Sequence, residues 1–551
     1  MRYISKIWTQ LKKPEHIWLI IILLLGTAFR FFYIHFGLPR LYLEDEEFFV
    51  TPALRVAGGQ INPDWFGTPA QPLIYALGIT FRIISIILNW THGTAFASWQ
   101  NYAAYTTIFQ TAGRVFPILL GALSILVIYF VTRHWNTRSG LIAAALLAFS
   151  FYHVDQSHII RPDVAQMFFI LLMVYFFLRM FDDHRNWWWY ILSGASLGLA
   201  FDMKYPSMFF LAPAVMVMFL LWREEKFVWR RWVAWAASGF AASFITGPFL
   251  YLDFQKVLHD LRIEDRAEHG GHDGFSFFGN LWWYVWDILP WQLGTFVYVL
   301  AVGVVVWVVW RWLVRRALPW TAREKKLAVM VFTGVSYLLA VSYLKLHWAR
   351  WIIPVMVMGF VLAGVGLDAV LRRFRGQRLA MVLVVLLVAA APLLRLVRML
   401  HGYSQMHTIE QARAWVLENV PVEGTYFLTE PYTPVPKDVY RSYMAPNVSW
   451  YDLEYYRGLG VTHFTTSETV YGTIAREAQR LGPSSKYGKA IVKYEKIFRE
   501  ADLLYESRPH PEYTLDELLY AGDFSVLKTW RYDIRLGPIT RVYRFLPAVA
   551  E

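Results

Sequence analysis

The chain has 551 residues, of which 56% are hydrophobic, 18% are aromatic and only 17% are charged. Soluble domains are typically about 45–50% apolar and about 25% charged. Several apolar runs here approach the roughly 20 residues that cross a bilayer. The composition therefore excludes an ordinary soluble enzyme and predicts a polytopic α-helical membrane protein. The chain contains no cysteine, which excludes disulfides, thiol catalysis and Cys-ligated zinc.

The formal net charge of +12 reflects membrane topology more than a nucleic-acid partner. Most Lys and Arg residues fall in short loops between apolar segments, where the positive-inside rule places them on the cytoplasmic side. The intervening loops are short or acidic. The chain is thus expected to bind membrane lipids and no nucleic acid.

Eleven segments are predicted to span the membrane within a transmembrane domain that covers residues 1–400. The apolar segment 73–89 is excluded from them, because a crossing there would separate the basic N-terminus from the other basic loops. It is predicted to lie in the interface, within a first outer loop at 38–109. The N-terminus is then cytoplasmic. The predicted spans are 16–37, 110–132, 139–157, 162–181, 187–203, 204–222, 232–251, 292–313, 326–345, 351–371 and 379–399.

Residues 401–551 are predicted to form a small α/β domain on the extracytoplasmic side. The sequence Thr408-Ile-Glu-Gln411 matches a capping box and opens a helix. Runs rich in β-branched and aromatic residues predict strands. These runs are 425–429, 461–466, 524–529 and 539–545.

A dense acidic stretch, Glu44–Glu47, follows the first span on the predicted outer side. Alone, such a stretch is typical of a solvated loop, and a cation at a helix end is typical of a snorkelling anchor. The convergence of both on one side favours a site, because ionisable groups near membrane helices are expensive. The candidates are Asp45, Glu46, Arg114, Asp155, His158, Arg161, Asp163, Lys204, Tyr205, His347 and Arg350.

This combination of charges predicts a reaction at the membrane face. A carboxylate can act as a general base on a hydroxyl or an amine, and Arg and Lys bind phosphate through charge-assisted hydrogen bonds. A lipid-borne phosphate lies at the same depth, which favours glycosyl transfer from a polyprenyl-phosphate sugar. Two alternatives remain: a lipid-linked sugar flippase or transporter, and a membrane-anchored cell-envelope assembly protein. A transporter is expected to hold its polar groups near the midplane instead.

The ordered series of motifs resembles the C-type membrane glycosyltransferases, the superfamily of protein O-mannosyltransferases and the aminoarabinose transferases of lipid A. The resemblance rests on Asp45-Glu46, Pro69-Ala-Gln-Pro72, Gly113-Arg114, His158-Ile-Ile-Arg161-Pro-Asp163, Lys204-Tyr205 and Arg350-Trp351. Metal-dependent oligosaccharyltransferases of this superfamily carry Trp-Trp-Asp-Tyr-Gly, whereas this chain has Trp282-Trp283-Tyr284 and lacks the Asp.

The resemblance implies a polyprenyl-phosphate sugar donor and inversion at the anomeric carbon. Asp45 would be the base, positioned by Glu46. Arg161, Lys204 and Arg350, with Arg114 and His347, would hold the donor phosphate. Asp155 or Asp163 would offset the developing positive charge, and His158 and Tyr205 would support the site. The resemblance implies no particular cofactor, and it leaves a divalent metal as an option that the reaction does not require. It also leaves the acceptor open among protein, lipid and glycan.

Overall fold

The computed structural model describes residues 14–39, 44–93, 98–265, 275–314, 319–431, 433, 435–436, 439–511 and 535–547. The chain divides into two compact units, Met1–Leu396 and Val397–Glu551. The predicted strand at 524–529 lies outside the described residues.

Apolar helices make up almost all of the first unit. They are α1 Pro14–Phe31, α2 Glu47–Ala57, α3 Gln71–His92, α4 Ser98–Ala104, α5 Thr106–Thr132, α6 Thr137–Ala148, α7 Phe151–Ser157, α8 Asp163–Asp182, α9 Trp187–Met203, α10 Leu211–Arg223, α11 Trp229–Thr246, α12 Phe249–Leu252, α13 Phe254–Glu264, α14 Phe277–Trp282, α15 Leu289–Leu293, α16 Thr295–Val314, α17 Ala322–Ser342, α18 Ile353–Arg373 and α19 Arg378–Ser404. Short 3₁₀ helices cover Glu44–Glu46, Tyr205–Phe210 and Ala349–Ile352, and a π-helix covers Trp283–Ile288.

Within the described part of the chain, nine helical segments are long and apolar enough to cross a membrane. The predicted class, a polytopic helical membrane protein, is confirmed. The α3 segment meets the same criterion of length and composition as the predicted spans. Its predicted interfacial position therefore stays a prediction.

The predicted span 139–157 was wrong as one continuous helix. It is divided into α6 and α7, and the break falls at Phe149 and Ser150. The Ser150 side chain accepts a hydrogen bond from the backbone N–H of His153 and so caps the start of α7. A serine in an apolar run gave too weak a signal for this break, since Ser also occurs within membrane helices.

Glycine allows α9 and α11 to pack backbone against backbone. A Cβ at Gly194 would lie 2.0 Å from the carbonyl oxygen of Trp235, and one at Gly198 would lie 2.1 Å from that of Gly239. No side chain fits at these distances. The close approach follows the small-residue pattern of membrane helix pairs.

The helices of the predicted loop 38–109 pack onto the bundle through an apolar core. Phe49 and Leu54 of α2, Leu73 and Leu77 of α3 and Phe109 of α5 are all buried in one cluster. This packing fixes the start of α2. The 3₁₀ helix Glu44–Glu46, which carries the acidic stretch, immediately precedes it.

The second unit contains a five-stranded sheet in the order β2-β1-β3-β5-β4. Strand β1 is parallel to β2 and β3, whereas β5 is antiparallel to β3 and β4. The helices are α20 Thr408–Asn419, α21 Leu453–Gly458, α22 Thr473–Leu481 and α23 Lys486–Arg499. The strands are β1 Tyr426–Thr429, β2 Arg441–Met444, β3 His463–Ser467, β4 Ala501–Ser507 and β5 Thr540–Phe545.

The predicted strands at 425–429, 461–466 and 539–545 are confirmed as β1, β3 and β5, whereas β2 and β4 were missed. The predicted capping box was wrong. The N-cap of α20 is His407, whose Nδ1 accepts from the Ile409 N–H at 3.2 Å. The Thr408 hydroxyl instead donates to the carbonyl of Pro538.

Glu430 links the end of β1 to three other segments of the second unit. Its carboxylate accepts hydrogen bonds from the backbone N–H of Val448 at 2.8 Å and of Ser467 at 3.1 Å, and from the Tyr494 hydroxyl. The side chain is buried. Burial raises the pKa of Glu430 from 4.5 to about 7, although these hydrogen bonds partly oppose the shift.

Candidate active site

Glu46 and Arg114 form a buried, bidentate ion pair. The Arg114 Nε and Nη2 atoms donate to the Glu46 carboxylate at 2.9 and 2.8 Å. The side chains are 0% and 1% exposed for Glu46 and Arg114. Arg114 Nη1 donates to the carbonyls of Ile34 and Phe36, and Glu46 also accepts from the backbone N–H of Ile160. The pair therefore joins the 3₁₀ helix, the end of α1, the helix α5 and the segment before α8.

Asp45, next to Glu46, faces two arginines. Its Oδ2 atom pairs with Arg161 Nη2 and lies 3.7 Å from Arg350 Nη2. The Asp45 side chain is 29% exposed, against 15% for Arg161 and 24% for Arg350. Asp45 is thus accessible while its neighbour Glu46 is sealed, although the two residues are adjacent in the chain.

The two arginines retain unused hydrogen-bond donors. Arg161 Nε is a buried N–H that has no partner among the described residues. Arg350 lies over the Trp348 ring at 4.6 Å and has no hydrogen bond to the described part of the chain. A guanidinium has five N–H donors, so both side chains can donate further hydrogen bonds to a ligand rich in oxygen.

A second ion pair lies beside the first group. Lys204 donates to Asp163, and both side chains are below 10% exposure. The charges of Asp163, Arg161 and Asp45 all act on Arg350, which places the two pairs in one electrostatic cluster. Three cations here face two carboxylates, so the cluster carries excess positive charge. Such a balance suits an anionic ligand.

The members of this cluster lie at or beside the ends of helices. Asp163 is the first residue of α8, where a carboxylate is favoured by the helix dipole. Lys204 follows α9 in an extended conformation, and the 3₁₀ helix Tyr205–Phe210 begins at the next residue. Arg350 lies in the 3₁₀ helix ahead of α18. The cluster consequently lies at one end of the helices rather than midway along them.

Four predicted residues make other contacts. Asp155 accepts a hydrogen bond from Gln156, and the ring nitrogens of His158 lie 2.9 Å from the carbonyl oxygens of Val154 and Phe32. The other two residues are Tyr205 and His347. The Tyr205 hydroxyl donates to the Phe66 carbonyl, and the His347 ring packs edge-on against Trp283 at 4.5 Å.

Sequence reasoning missed the aromatic rings that border the cations. Trp348 lies against Arg350, and the Trp351 ring lies 5.5 Å from Lys204 Nζ. The signal is present in the sequence Trp348-Ala-Arg350-Trp351, where tryptophans flank the arginine. Among the described residues, no group of three or more His, Asp or Glu is placed to hold a metal ion.

The chain is similar to known membrane glycosyltransferases. The sequence profile of the dolichyl-phosphate-mannose-protein mannosyltransferase family matches residues 103–251, which include Arg114, Arg161, Asp163 and Lys204. No curated protein is significantly similar to the chain in sequence.

Solved structures extend the similarity to the whole chain. The oligosaccharyltransferase AglB from Archaeoglobus fulgidus, in complex with an inhibitory peptide and a dolichol-phosphate, aligns with a TM-score of 0.52 at 12% identity, over 96% of this chain and 88% of that one. The same organism's enzyme, tethered to an acceptor peptide, aligns with a TM-score of 0.53 at 12% identity, over 98% and 89%. ArnT from Cupriavidus metallidurans, bound to undecaprenyl phosphate, aligns with a TM-score of only 0.46 at 13% identity, over 83% of this chain and 94% of that one.

Identities this low establish the fold alone and do not decide between the oligosaccharyltransferase and mannosyltransferase branches. The fold and the partial sequence match nevertheless agree with each other and with the resemblance noted in the motifs. The chain therefore has the fold of the C-type membrane glycosyltransferases, and its segment 103–251 has the sequence pattern of the dolichyl-phosphate-mannose-protein mannosyltransferases.

Proposed function

We propose that the chain is an inverting glycosyltransferase that moves a sugar from a polyprenyl-phosphate donor to an acceptor at the extracytoplasmic membrane face. The observation that carries the proposal is the pairing of an accessible carboxylate, Asp45, with two arginines that have unused donors. The matched family is described by a dolichyl-phosphate sugar, and the similar archaeal structure contains dolichol-phosphate. Both support a lipid phosphate donor.

The donor phosphate binds to Arg161 and Arg350 in this account. Phosphate oxygens accept charge-assisted, often bidentate, hydrogen bonds from guanidinium groups. The arginines then turn from Asp45 toward the phosphate, and Asp45 is released to act as a base. Lys204, held by Asp163 and bordered by Trp351, adds positive charge behind them. Arg114 is assigned to Glu46 instead of the phosphate, because its donors already face Glu46 and two carbonyls.

Asp45 takes the proton from the acceptor O–H or N–H as that atom forms a bond to the anomeric carbon. The bond between this carbon and the phosphate oxygen breaks, and its electron pair leaves on polyprenyl phosphate. Negative charge grows on the bridging oxygen as the bond lengthens, so the arginines stabilise the transition state more than the ground state. Attack opposite the leaving group inverts the anomeric carbon.

An apolar cavity supports a lipid-borne donor. It has a volume of about 170 Å³ and is lined by Phe149, Phe151, Phe360 and Leu393, among others. Phe151 precedes Tyr152, which lies near Arg350. The basic loops that follow α5, α10 and α18 lie at the opposite helix ends, which supports an extracytoplasmic position for Asp45.

The proposal is tested with purified chain in detergent and polyprenyl-phosphate sugars that carry a radiolabel in the sugar. We expect sugar transfer and release of polyprenyl phosphate in a single compartment. A flippase would instead move the intact donor, and only across sealed vesicles. An assembly protein would do neither. Absence of release with every donor and acceptor tried, from a protein that binds the donor, would remove the transferase assignment.

The phosphate-binding role is tested with Arg161→Gln and Arg350→Gln. Loss of one charged hydrogen bond costs about 1.5–3 kcal/mol, which is a roughly 10- to 150-fold weaker affinity for donor. The matched control is Arg138→Gln, because Arg138 pairs with Asp368 at the opposite helix ends. Donor affinity is measured by titration with the unlabelled lipid. Equal affinities for the control and the two site variants would contradict this role.

A further inference from the structure

An apolar groove lies between α16, α17 and α18, away from the Asp45 cluster. Its volume is about 470 Å³, within the roughly 300–1,000 Å³ of typical ligand sites. Val299, Leu300 and Val304 form one wall, and Leu327 and Val365 face them. We call this feature the Gly303 groove, after the glycine on its α16 wall.

The Gly303 groove opens to the outside of the helical bundle. Val299 is 59% exposed and Trp307 is 42% exposed, although both are large apolar residues. A Cβ at Gly303 would meet no heavy atom within 4 Å, so this wall is not filled by a neighbouring helix. The helices that bear the groove are long and apolar enough to cross a membrane. The opening therefore faces lipid in the folded protein.

The mouth of the groove carries unbalanced positive charge. Arg323 lines it, is exposed, and makes no ion pair with the described residues. The neighbouring Glu324 does not neutralise Arg323, because its carboxylate accepts hydrogen bonds from Arg311 Nε at 2.9 Å and from the Thr321 N–H at 2.7 Å. The next residue, Lys325, pairs with Glu224. Among the described residues that line the mouth, Arg323 is thus the cation without an ion-pair partner.

Two tryptophans border the same end of the groove. The Trp135 Nε1 donates to the Arg323 carbonyl at 3.3 Å, and Trp307 lies on the exposed wall. Tryptophan is enriched at the level of lipid headgroups. The apolar walls of the groove thus match an acyl chain, the tryptophans match the glycerol region, and Arg323 matches the phosphate. These parts follow one another in the same order as in a phospholipid.

We propose that the Gly303 groove binds an anionic phospholipid, with one acyl chain against Gly303 and the phosphate at Arg323. This site is separate from the donor site. Arg350 precedes α18, whereas Val370 of the groove lies 17 residues after the first residue of that helix, which is about 26 Å along its axis. Charge complementarity selects an anionic lipid over a zwitterionic one, because a nearby cation contributes about 1 kcal/mol of attraction per anionic charge at a membrane surface.

The probe is phosphatidylglycerol with a photoactivatable group in one acyl chain, added to the full chain in detergent. We expect crosslinks to peptides that contain residues 299–307 or 365–370. Unlabelled phosphatidylglycerol should compete about fivefold better than phosphatidylethanolamine with the same chains. Equal competition by the two lipids, or crosslinks only to other segments, would overturn the proposal.

Two variants sharpen this test. Gly303→Leu should fill the groove and abolish these crosslinks, because the added side chain enters open space and leaves the fold intact. Its control is Val306→Leu on the same helix, which does not line the groove. Arg323→Gln should remove the preference for phosphatidylglycerol while crosslinking continues, and Arg378→Gln is its control. Unchanged crosslinking in Gly303→Leu would refute the proposal. A dimer that forms through this face in the unsubstituted chain and is lost in Gly303→Leu would also refute it, because the groove would then bind a second copy of the chain.

Discussion

The buried pair of Glu46 and Arg114 gives the sharpest stability prediction. Glu46→Gln removes the negative partner and leaves the Arg114 guanidinium buried beside a neutral amide. Removal of one partner from a buried ion pair costs about 3–5 kcal/mol, because the remaining charge is neither solvated nor compensated. Both side chains are at most 1% exposed, so the upper half of this range applies.

The same substitution also affects the neighbouring base. Glu46 holds the 3₁₀ helix Glu44–Glu46 to Arg114 and to the Ile160 N–H, and Asp45 lies on that helix. We expect Glu46→Gln to lower kcat at saturating donor, since the 3₁₀ helix that carries Asp45 loses its anchor and the base is displaced from the acceptor. Donor affinity should change less, because neither arginine of the proposed phosphate site contacts Glu46 in the described structure.

The assay is denaturant titration of the purified chain in mixed micelles, with transfer measured in parallel. Glu47→Gln is the matched control, because Glu47 is adjacent and exposed. A double variant, Glu46→Gln with Arg114→Gln, should recover part of the lost free energy of unfolding, since it leaves no unpaired charge. If Glu46→Gln costs no more than Glu47→Gln, the reasoning on the buried pair is wrong.

Two further predictions concern other parts of the chain. The pKa of Glu430 is raised from 4.5 to about 7, so its contribution to the stability of the second unit is fully present below pH 4.5. Up to about 3 kcal/mol of that free energy of unfolding is lost as the pH rises through 7. Hydrogen exchange at the Val448 and Ser467 amides, corrected for intrinsic rates, should show this loss, and Glu430→Gln should abolish the pH dependence. Gly198→Ala should lower the midpoint of thermal unfolding by several degrees, because its Cβ would lie 2.1 Å from the Gly239 carbonyl oxygen. The control Gly303→Ala places its Cβ in open space and should leave the midpoint unchanged. Equal midpoints for the two variants would contradict the packing described for α9 and α11.

The helices were largely predictable from the sequence because a bilayer demands long apolar runs. The segments 110–132 and 351–371 were each placed within four residues of α5 and α18. Breaks within apolar runs were not predictable, as the division at Ser150 shows, because a local cap competes with a helical pattern that continues through it. The short strands β2 and β4 lack strong alternation and depend on their neighbours in the sheet.

The candidate site was partly predictable for a similar reason. Buried charge in a membrane protein is rare, so Asp45, Arg161, Lys204 and Arg350 could be selected as a group. Pairing could not be read from the sequence, since it depends on contacts between residues that lie 41, 68, 116 and 305 positions apart. Glu46 and Asp45 are neighbours with the same chemistry, yet Glu46 is buried against Arg114 whereas Asp45 is partly exposed beside Arg161.

The most direct measurement of the central claim compares Asp45→Asn with the unsubstituted chain in both donor binding and sugar transfer. We predict that Asp45→Asn binds donor equally or more tightly, because Arg161 and Arg350 no longer pair with a carboxylate. Transfer should fall by about 10²- to 10⁴-fold, the usual contribution of a general base, and the control Asp64→Asn, which alters an exposed pair with Arg55, should retain it. Full transfer by folded Asp45→Asn would contradict the account.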